Sequence, residues 1–440
     1  MESQNPWWKG KEAFEEDEDY KKWRQSSVRW VPQLLEEIKL ETPALHFLYG
    51  PRQVGKTTLL KLLIGKLLQV VDNPRAIFYY RCDLLADYKE LNSVLMEYLK
   101  IKRNEGLRVS FIFLDEVTFP RELYRAIKYM VDRGYLQNDI VVLTGSLSMY
   151  AKREVETFPG RRGRGRDYVL YPLSFREYIK VSRPDLYGKL EEIRDFSPKE
   201  IREKCLKLIP WREELNKLFE TYLVTGGFPL AVKTYLENRS ISREVKETYL
   251  SAFLYDLAKL RRNEAIAKRV IKAIIEKLPS PVSLNSIAKE FEIRSHKTVF
   301  QYLDLFEKLF IAKNLYFVDP DKAVEVFYKE RKVHLTDSFL YEVFSEWCHV
   351  QKPDESKIVE SVVATHLARR FRVGYWRNRT EIDVVLPDLS LGFEIKWAEK
   401  TKLYPKSIGK IKNIVYLTKE EFSDEPLAVP TSVFLSCLKL

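Results

Sequence analysis

The sequence predicts an α/β protein that is divided into several domains, and three observations support this prediction. A buried apolar strand at 44–49 runs into a glycine-rich turn and then an apolar helical pattern. A second apolar strand, at 109–116, ends in two acidic residues. Near the C-terminus, an amphipathic helix at 355–371 precedes three short apolar strands, which indicates a further α/β region. With 440 residues, the chain is expected to form about two to four domains.

The composition favours a cytoplasmic protein with a polyanionic partner. The formal net charge is +11, with 74 Lys and Arg against 63 Asp and Glu. This balance suits DNA as a partner, and it equally suits the Lys-rich surface of a heat-adapted protein. No apolar run reaches the roughly 18 residues of a membrane span, and the acidic start is unlike a signal peptide. The cysteines are far apart without CxxC spacing, so neither a zinc site nor a disulfide framework is predicted.

The glycine-rich turn predicts a nucleotide site. Residues 50–57 read GPRQVGKT, which satisfies the pattern GxxxxGK[ST] between a strand and a helix. Glycines let backbone N–H groups turn around a phosphate, and the helix N-terminus adds its positive dipole end. Lys56 would reach the β- and γ-phosphates of ATP, and the Thr57 hydroxyl would ligate Mg²⁺. The predicted nucleotide-binding residues are Gly50, Pro51, Arg52, Gln53, Val54, Gly55, Lys56, Thr57 and Thr58.

The strand at 109–116 supplies the acids that ATP hydrolysis needs. Asp115 would hold Mg²⁺ through water, and Glu116 would polarise the attacking water. One further strand candidate, 76–80, lies between the two motifs. An extra strand, with an acid directly after the metal-binding Asp, is typical of ATPases that use a catalytic glutamate.

Another strand, at 139–146, ends in the polar residues Thr144 and Ser146. A polar group at this position could sense the γ-phosphate or align the attacking water, and we assign that catalytic role to Ser146. A serine that caps a helix is the alternative.

Arginines alternate with glycines in the segment PGRRGRGRDY at 159–168. We predict a mobile basic loop that precedes a strand. Three roles stay open for Arg161 and Arg162: a finger on the γ-phosphate of a neighbouring subunit, a contact to DNA phosphates, or part of a solvated charge run. The first of these roles requires a homo-oligomer.

Together these motifs resemble a known family. GPRQVGKTT, FLDEV, LTGSLS, GRRGR with YPLSFREY, YLVTGGFP and the N-terminal NPWW are similar to those of prokaryotic AAA-type ATPases, common in archaea, that carry a C-terminal restriction-endonuclease-like domain. The resemblance implies a P-loop ATPase core followed by a helical lid. It also implies that Gly227 and Pro229 of the lid touch the nucleotide base or ribose, with a helix-breaking turn as the alternative.

Beyond the lid the pattern changes to a helix-turn-helix with a wing. Residues 283–291 predict a short helix capped by Ser283, 296–310 a second helix, and 311–318 a β-wing. The residues that would meet the DNA major groove are Arg294, Ser295, His296 and Lys297. Five Lys and Arg against four Asp and Glu over 281–318 are a weak electrostatic footprint, and a winged helix can also serve as a spacer between domains.

Carboxylates cluster on the predicted C-terminal strands. Asp383 and Glu394 lie 11 residues apart on consecutive strands, and Lys396 shares the face of Glu394 because alternate residues of a strand point the same way. Two carboxylates and a lysine suit Mg²⁺-dependent hydrolysis of a phosphodiester. The arrangement resembles the PD-(D/E)xK nuclease motif, which implies that Glu360 of the preceding helix is a further metal-site acid.

This motif departs from the nuclease pattern at one position, because Ile382 replaces the Pro that would precede the first acid. Trp376, Arg377 and Arg379 are expected near the mouth of the site, where they would stack on or clamp a nucleic acid. Many domains of this type bind DNA or protein without cutting it, and three charges on an exposed sheet face are the alternative.

Two functions therefore stay open. The first is an ATP-dependent protein that binds or processes DNA, with metal-dependent cleavage as an extension. The second is a nucleotide-switched signalling or assembly ATPase, whose C-terminal domain is a non-catalytic interaction module. The predicted domains are an N-terminal helical segment at 1–42, the ATPase core at 43–185, the lid at 186–278, the winged helix at 279–320 and the nuclease-like domain at 321–440.

Overall fold

The chain divides into two compact units, Met1–Tyr171 and Pro172–Leu440. The computed structural model describes residues 1–117, 122–145, 158, 160–398, 402–405 and 407–440. The first unit ends before residue 185, where the sequence predicted the end of the ATPase core. Among the helices within these described ranges, none combines the length and apolar composition needed to cross a bilayer.

The first unit is built around one parallel sheet. Its strands are β1 (Ala44–Tyr49), β2 (Ile77–Arg81), β3 (Phe111–Asp115), β4 (Ile140–Gly145) and β5 (Asp167–Val169). They lie in the order β2-β3-β4-β1-β5. Because β1, β4 and β3 run parallel, the phosphate loop after β1 and the acids of β3 lie at the same carboxyl edge of the sheet, with β4 between them.

Helices cover this sheet, as a parallel sheet with two buried faces requires. They are α1 (Glu18–Arg24), α2 (Leu34–Glu37), α3 (Lys56–Val70), α4 (Tyr88–Asn104) and α5 (Tyr124–Asp132), with short 3-10 helices at Glu2–Gln4, Pro6–Lys9, Lys11–Glu16, Pro74–Ala76 and Cys82–Leu84. The sequence of α3 is apolar on most faces, and the helix is accordingly buried along most of its length.

The N-terminal segment covers β2, which is an edge strand of the sheet. The Asn5 side-chain amide donates to the Tyr79 carbonyl at 2.9 Å and accepts from the Tyr79 N–H at 2.7 Å. The Trp7 and Trp8 indoles both donate to the Ile77 carbonyl, at 3.0 and 2.8 Å. These side chains satisfy backbone groups that an exposed edge strand would leave unpaired.

The second unit begins with a run of helices and ends with an α/β region. Its helices are α6 (Phe175–Ser182), α7 (Pro184–Tyr187), α8 (Pro198–Leu208), α9 (Arg212–Thr225), α10 (Pro229–Asn238), α11 (Arg243–Lys259), α12 (Glu264–Lys277), α13 (Leu284–Glu290), α14 (His296–Lys308), α15 (Ser338–Cys348), α16 (Glu355–Leu367) and α17 (Thr431–Ser436), with short 3-10 helices at Ile209–Trp211 and Pro387–Leu389. Ser283 and Ser295 cap α13 and α14, each by accepting a backbone N–H, so the predicted pair of helices is present.

A seven-stranded sheet organises the rest of this unit. Its strands are β6 (Ala312–Asp319), β7 (Val324–Leu335), β8 (Gly374–Arg377), β9 (Glu381–Leu386), β10 (Leu391–Lys396), β11 (Asn413–Thr418) and β12 (Ala428–Pro430). Their order is β12-β11-β10-β9-β8-β6-β7. The predicted wing strand is β6, and it differs from a free wing because it pairs with both β7 and β8 inside this sheet. Its apolar residues are buried there, so the prediction of a separate wing was incomplete.

Candidate functional site

The phosphate loop joins β1 to α3. A Cβ atom added to Gly50 would lie 2.3 Å from the Leu170 carbonyl oxygen, so only glycine fits this position. Gly55 has a φ of +99°, which a residue with a side chain rarely adopts. Helix α3 begins directly after Gly55, and this residue provides no capping side chain. The first-turn N–H groups of α3 therefore form the kind of helix N-terminus that binds phosphate.

Lys56 is held within this loop. Its ammonium donates to the carbonyls of Gly50 at 3.1 Å and Pro51 at 2.8 Å, and the residue is buried. These are neutral acceptors, which the charged oxygens of a phosphate can replace with a stronger bond. The remaining predicted nucleotide-binding residues, Arg52, Gln53, Val54, Thr57 and Thr58, lie in the same loop or in the first turn of α3.

Asp115 lies at the end of β3, and its carboxylate accepts hydrogen bonds from three hydroxyl groups. Thr57 donates to its Oδ2 at 2.6 Å, Tyr79 donates to the same oxygen at 3.0 Å, and the Thr144 hydroxyl donates to Oδ1. Burial and the Asp115 charge raise the pKa of Tyr79, so its hydroxyl stays a donor at neutral pH. These donors orient the carboxylate without bringing positive charge to it. The predicted Mg²⁺ residues Thr57 and Asp115 are thus brought together, and they fit a cation beside them.

Glu116 follows with an unusual backbone conformation, since its φ is +56°. Its N–H donates to the Thr144 hydroxyl oxygen at 2.9 Å, which fixes the residue against β4. Within the described part of the chain, the buried Oε2 atom of Glu116 has no hydrogen-bond partner. A buried oxygen of this kind is suited to accept a proton from a bound water molecule.

Thr144 is the polar group that the structure connects to both acids. The sequence had assigned the sensing role to Ser146, which lies outside the described residues. The sequence pattern that predicted a sensing residue was a hydroxyl at the end of the strand beside β3. Thr144 and Ser146 both satisfy this pattern.

The arginine-rich segment differs from the mobile loop that the sequence predicted. Its backbone lies along β1: Leu45 N–H donates to the Arg162 carbonyl at 3.0 Å, and Phe47 N–H donates to the Arg166 carbonyl at 3.0 Å. A Cβ atom on Gly165 would lie 2.0 Å from the Leu45 carbonyl oxygen. Close packing against β1 therefore explains a glycine that the sequence attributed to mobility.

The arginine side chains pair with carboxylates of the same unit. The pairs are Arg161 with Asp132, Arg162 with Asp167 at 2.9 Å, and Arg164 with Glu41 at 2.9 Å. These pairs favour a local role for the segment. The finger and DNA roles of Arg161 and Arg162 stay predictions.

Gly227 and Pro229 have clear packing roles in the second unit. A Cβ atom on Gly227 would lie 2.0 Å from the Leu173 carbonyl oxygen, and its N–H donates to Asp337 Oδ2 at 2.9 Å. Pro229 occupies the first position of α10, where a missing N–H costs nothing. These contacts fit the turn that the sequence offered as the alternative, and nucleotide contact by either residue stays a prediction.

In the second unit, the predicted carboxylates lie on neighbouring elements. Glu360 lies in α16, while Asp383 of β9 and Glu394 of β10 lie on paired antiparallel strands, and all three are buried. Asp383 Oδ2 accepts from the Ile395 N–H at 2.8 Å. Lys396 pairs with Glu394 at 2.6 Å, as expected for residues on one face.

A lysine that the sequence did not single out lies among these acids. Lys332 of β7 is 1% exposed, and its ammonium lies 2.7 Å from Glu360, 2.6 Å from Glu381 and 3.4 Å from Asp383. Burial lowers the pKa of Lys332, but the charges of Glu360 and its neighbours outweigh this effect and raise it. Lys332 is therefore a fully charged member of the cluster.

Burial and the nearby charge of Asp383 raise the pKa of Glu360 to about 8, against the opposing effect of Lys332. No three His, Cys, Asp or Glu side chains of the described residues are grouped so that they could share a metal ion.

The residues expected to clamp a nucleic acid differ in exposure, because Trp376 is buried while Arg377 and Arg379 are exposed. Trp376 therefore contributes to the core, and the prediction that it would stack on a nucleic acid was wrong.

Two family models match the chain. Residues 42–179 match a model described as an AAA domain, and residues 216–347 match a domain of unknown function (DUF8612). The second match ends before α16, so it does not include Glu360, Asp383 or Glu394.

An uncharacterized protein of Methanocaldococcus jannaschii is 23% identical over 302 residues, which cover 65% of this chain. The matched region spans 60% of that relative's length. Similar solved structures include the ORC2 protein of Aeropyrum pernix in ADPNP and ADP complexes, with a TM-score of 0.39 and 14% identity over 72% of this chain and 90% of that one. The RuvB protein of Thermotoga maritima gives a TM-score of 0.30 and 15% identity over 78% and 96%.

Both TM-scores lie below 0.5, so the assignment depends on the matched AAA domain and on the arrangement of the loop and strands. The order β2-β3-β4-β1-β5 places a strand between the phosphate loop strand and the strand that carries the acids. Residues 42–179 of this chain are therefore similar to an AAA domain, and the first unit carries a phosphate loop between β1 and α3 of a parallel α/β sheet.

Proposed function

We propose that the first unit binds ATP with Mg²⁺ and hydrolyses it. The observation that carries this proposal is the hydrogen-bonded set around Asp115, whose carboxylate joins Thr57 of the phosphate loop to Thr144 of β4. Glu116 is fixed to the same Thr144 by its backbone N–H. The loop, the metal-binding acid and the base are therefore connected through two hydroxyls, those of Thr57 and Thr144.

Each residue has a distinct task in this scheme. Lys56 would exchange its bonds to the loop carbonyls for bonds to phosphate oxygens. Thr57 and Asp115 would hold Mg²⁺, which when bound supplies positive charge next to the phosphates. Glu116 would orient a water molecule and accept its proton through the buried Oε2. Thr144 would hold Asp115 and Glu116 in fixed positions relative to each other.

ATP turnover measured as released phosphate tests this assignment. Wild-type turnover should require Mg²⁺, and Asp115→Asn should lower it by about 10²-fold or more because the metal loses its acid. Lys56→Ala should abolish ATP binding. Glu97→Gln changes an exposed acid of the same unit and should have no effect. Unchanged turnover in Asp115→Asn, or unchanged ATP affinity in Lys56→Ala, would contradict the proposal.

DNA binding by the second unit is a second candidate function, and one surface favours it. Arg294, His296 and Lys297 are exposed at the N-terminal end of α14. Phe300 of the same helix is 46% exposed, and Tyr328 of β7 is 89% exposed. Exposed cations interleaved with exposed aromatic rings suit phosphates and bases. Arg331 of β7 is itself buried, and its guanidinium lies 5.7 Å from the Phe300 ring, so α14 lies against β7.

Fluorescence anisotropy with labelled DNA at several salt concentrations tests the second candidate. Lys297→Ala should weaken binding and reduce the salt slope by about 1, whereas Lys199→Ala, at an exposed position of α8, should change neither. Equal binding by both variants would refute this surface. ATP turnover that is indifferent to DNA, with nucleotide-dependent homo-oligomerisation, would favour the signalling or assembly ATPase instead.

Metal-dependent DNA cleavage by Glu360, Asp383, Glu394 and Lys396 is not part of this proposal. The Lys332 ammonium lies 2.7 Å from Glu360 and 3.4 Å from Asp383, and Glu394 pairs with Lys396. The arrangement does not fit a divalent cation at that position.

A further inference from the structure

We propose that the Lys332 ammonium takes the place of a metal ion in the second unit, so that its nuclease-like carboxylates form a structural cluster that binds no divalent metal. The ammonium lies within 3.4 Å of Glu360, Glu381 and Asp383. Two of these three, Glu360 and Asp383, are residues that the motif would assign to a metal. The inference depends on the second unit alone and is independent of ATP hydrolysis.

The Lys332 ammonium donates hydrogen bonds to Glu360 and Asp383 and forms an ion pair with Glu381. A lysine ammonium has three hydrogens, and three carboxylates surround this one. Glu360 and Asp383 are themselves buried, and buried acids close to each other need a nearby cation, a proton on one of them, or both. Lys332 supplies that charge from within the chain, so the acids have no need of a metal to be stable in the fold.

Lys332 cannot easily leave. It lies within β7, and the β7 residues before and after it also pair with β6. Its side chain is 1% exposed. A Mg²⁺ ion bound to the same oxygens would need bonds of about 2.0–2.1 Å in octahedral geometry, and it would be pressed against the ammonium. Like charges at that separation repel, so the two cations are mutually exclusive.

The remaining acids are engaged as well. Asp383 Oδ2 accepts the Ile395 N–H, and Glu394 pairs with Lys396. Both lysines of the cluster thus neutralise carboxylates within the unit. What the arrangement can do chemically is hold α16 and β9 together around a charged core, and present Arg377 and Arg379 on its surface.

Manganese titration of the full chain, followed by electron paramagnetic resonance without nucleotide, tests the inference. The wild type should bind no Mn²⁺ at this cluster. Lys332→Met keeps an unbranched side chain that is one heavy atom shorter and removes the charge, and it should gain one Mn²⁺ per chain. The gained ion should be lost again when Asp383→Asn is added. Lys329→Met changes an exposed lysine of the same strand and should behave as the wild type does.

Two results would overturn the inference. One is a wild-type Mn²⁺ site that disappears in Asp383→Asn, and the other is a folded Lys332→Met that gains no ion. Circular dichroism establishes whether Lys332→Met folds. If it does not, wild type against Asp383→Asn still decides, because the inference predicts no difference in Mn²⁺ binding between them.

Discussion

The two carboxylate clusters of this protein are built in opposite ways. In the first unit, hydroxyl groups of Thr57, Tyr79 and Thr144 surround Asp115. In the second unit, the ammonium of Lys332 lies between Glu360 and Asp383. Hydroxyls orient a carboxylate and leave its charge available to a cation, whereas a buried ammonium neutralises it. Whether an acidic cluster takes a metal therefore depends on the donors around it as much as on the acids.

The largest expected effect concerns the first cluster. Glu116→Gln should still bind ATP, and its turnover should fall by about 10²–10⁴-fold because the amide cannot accept a proton from water. Single-turnover measurement of phosphate release, together with a separate ATP-binding titration, distinguishes the two steps. Normal turnover in this variant would show that Glu116 is not the catalytic base. The first cluster would then differ from the second in metal binding alone.

The second cluster should show its charge dependence in stability. Lys332→Met without added metal should destabilise the second unit by about 3–5 kcal/mol, because buried carboxylates lose their cation. Lys329→Met should change stability by no more than about 0.5 kcal/mol. Urea unfolding in the presence of EDTA measures both. Equal stability of the two variants would mean that Lys332 does not hold the cluster together.

A smaller effect is expected at Tyr79, which the sequence analysis did not single out. Tyr79→Phe removes one hydrogen bond to Asp115 and should cost about 1.5–3 kcal/mol, shared between stability and metal-dependent turnover. The ring of Phe should still contact Lys61, whose ammonium lies 3.3 Å from the Tyr79 ring centroid. A higher Mg²⁺ requirement for turnover in Tyr79→Phe would show that the hydroxyl orients Asp115; an unchanged requirement would limit it to packing.

The smallest effect is a pH dependence that belongs to the second cluster. The pKa of Glu360 is raised to about 8 by burial and Asp383, so the folded state holds a proton that the unfolded state releases near its ordinary pKa of 4.5. Stability from this group is complete below the unfolded pKa and is lost as pH rises through 8.

Two other buried groups of the second unit restrict the useful pH window. The pKa of Asp337 is raised to about 6, and that of His334 is lowered to about 3 from 6.5, in both cases by burial. Between about pH 6.5 and 8, Glu360 should therefore contribute most of the pH dependence of the free energy of unfolding among these three groups. Thermal unfolding midpoints should fall across this window in the wild type and fall less in Glu360→Gln. Parallel curves would contradict the raised pKa.

Local sequence was sufficient to predict the phosphate loop and the acids that lie beside it. The residues of the phosphate loop are continuous, and Asp115 and Glu116 directly end a strand, so the pattern contains most of the geometry. Strands β8, β9 and β10 were also predictable, because short apolar runs alternate with polar turns around Asp383 and Glu394.

Contacts between distant parts of the chain could not be predicted in the same way. Lys332 reaches Asp383 only because β7 and β9 belong to one sheet, and no pattern near either residue indicates the contact. The wing prediction was incomplete for the same reason, since the pairing of β6 with β8 is long-range. In the arginine-rich segment, the glycines suggested a mobile backbone. The structure instead pairs this backbone with β1, and glycine allows the two backbones to lie close together.

The most direct test of this comparison counts metal ions. Full-length protein should bind one Mn²⁺ per chain with a non-hydrolysable ATP analogue and none without it, and Thr57→Ala should lose that ion. Asp383→Asn should not change the count. Two ions per chain with the analogue, or one without nucleotide that Asp383→Asn removes, would show that the second cluster takes a metal and would contradict the account.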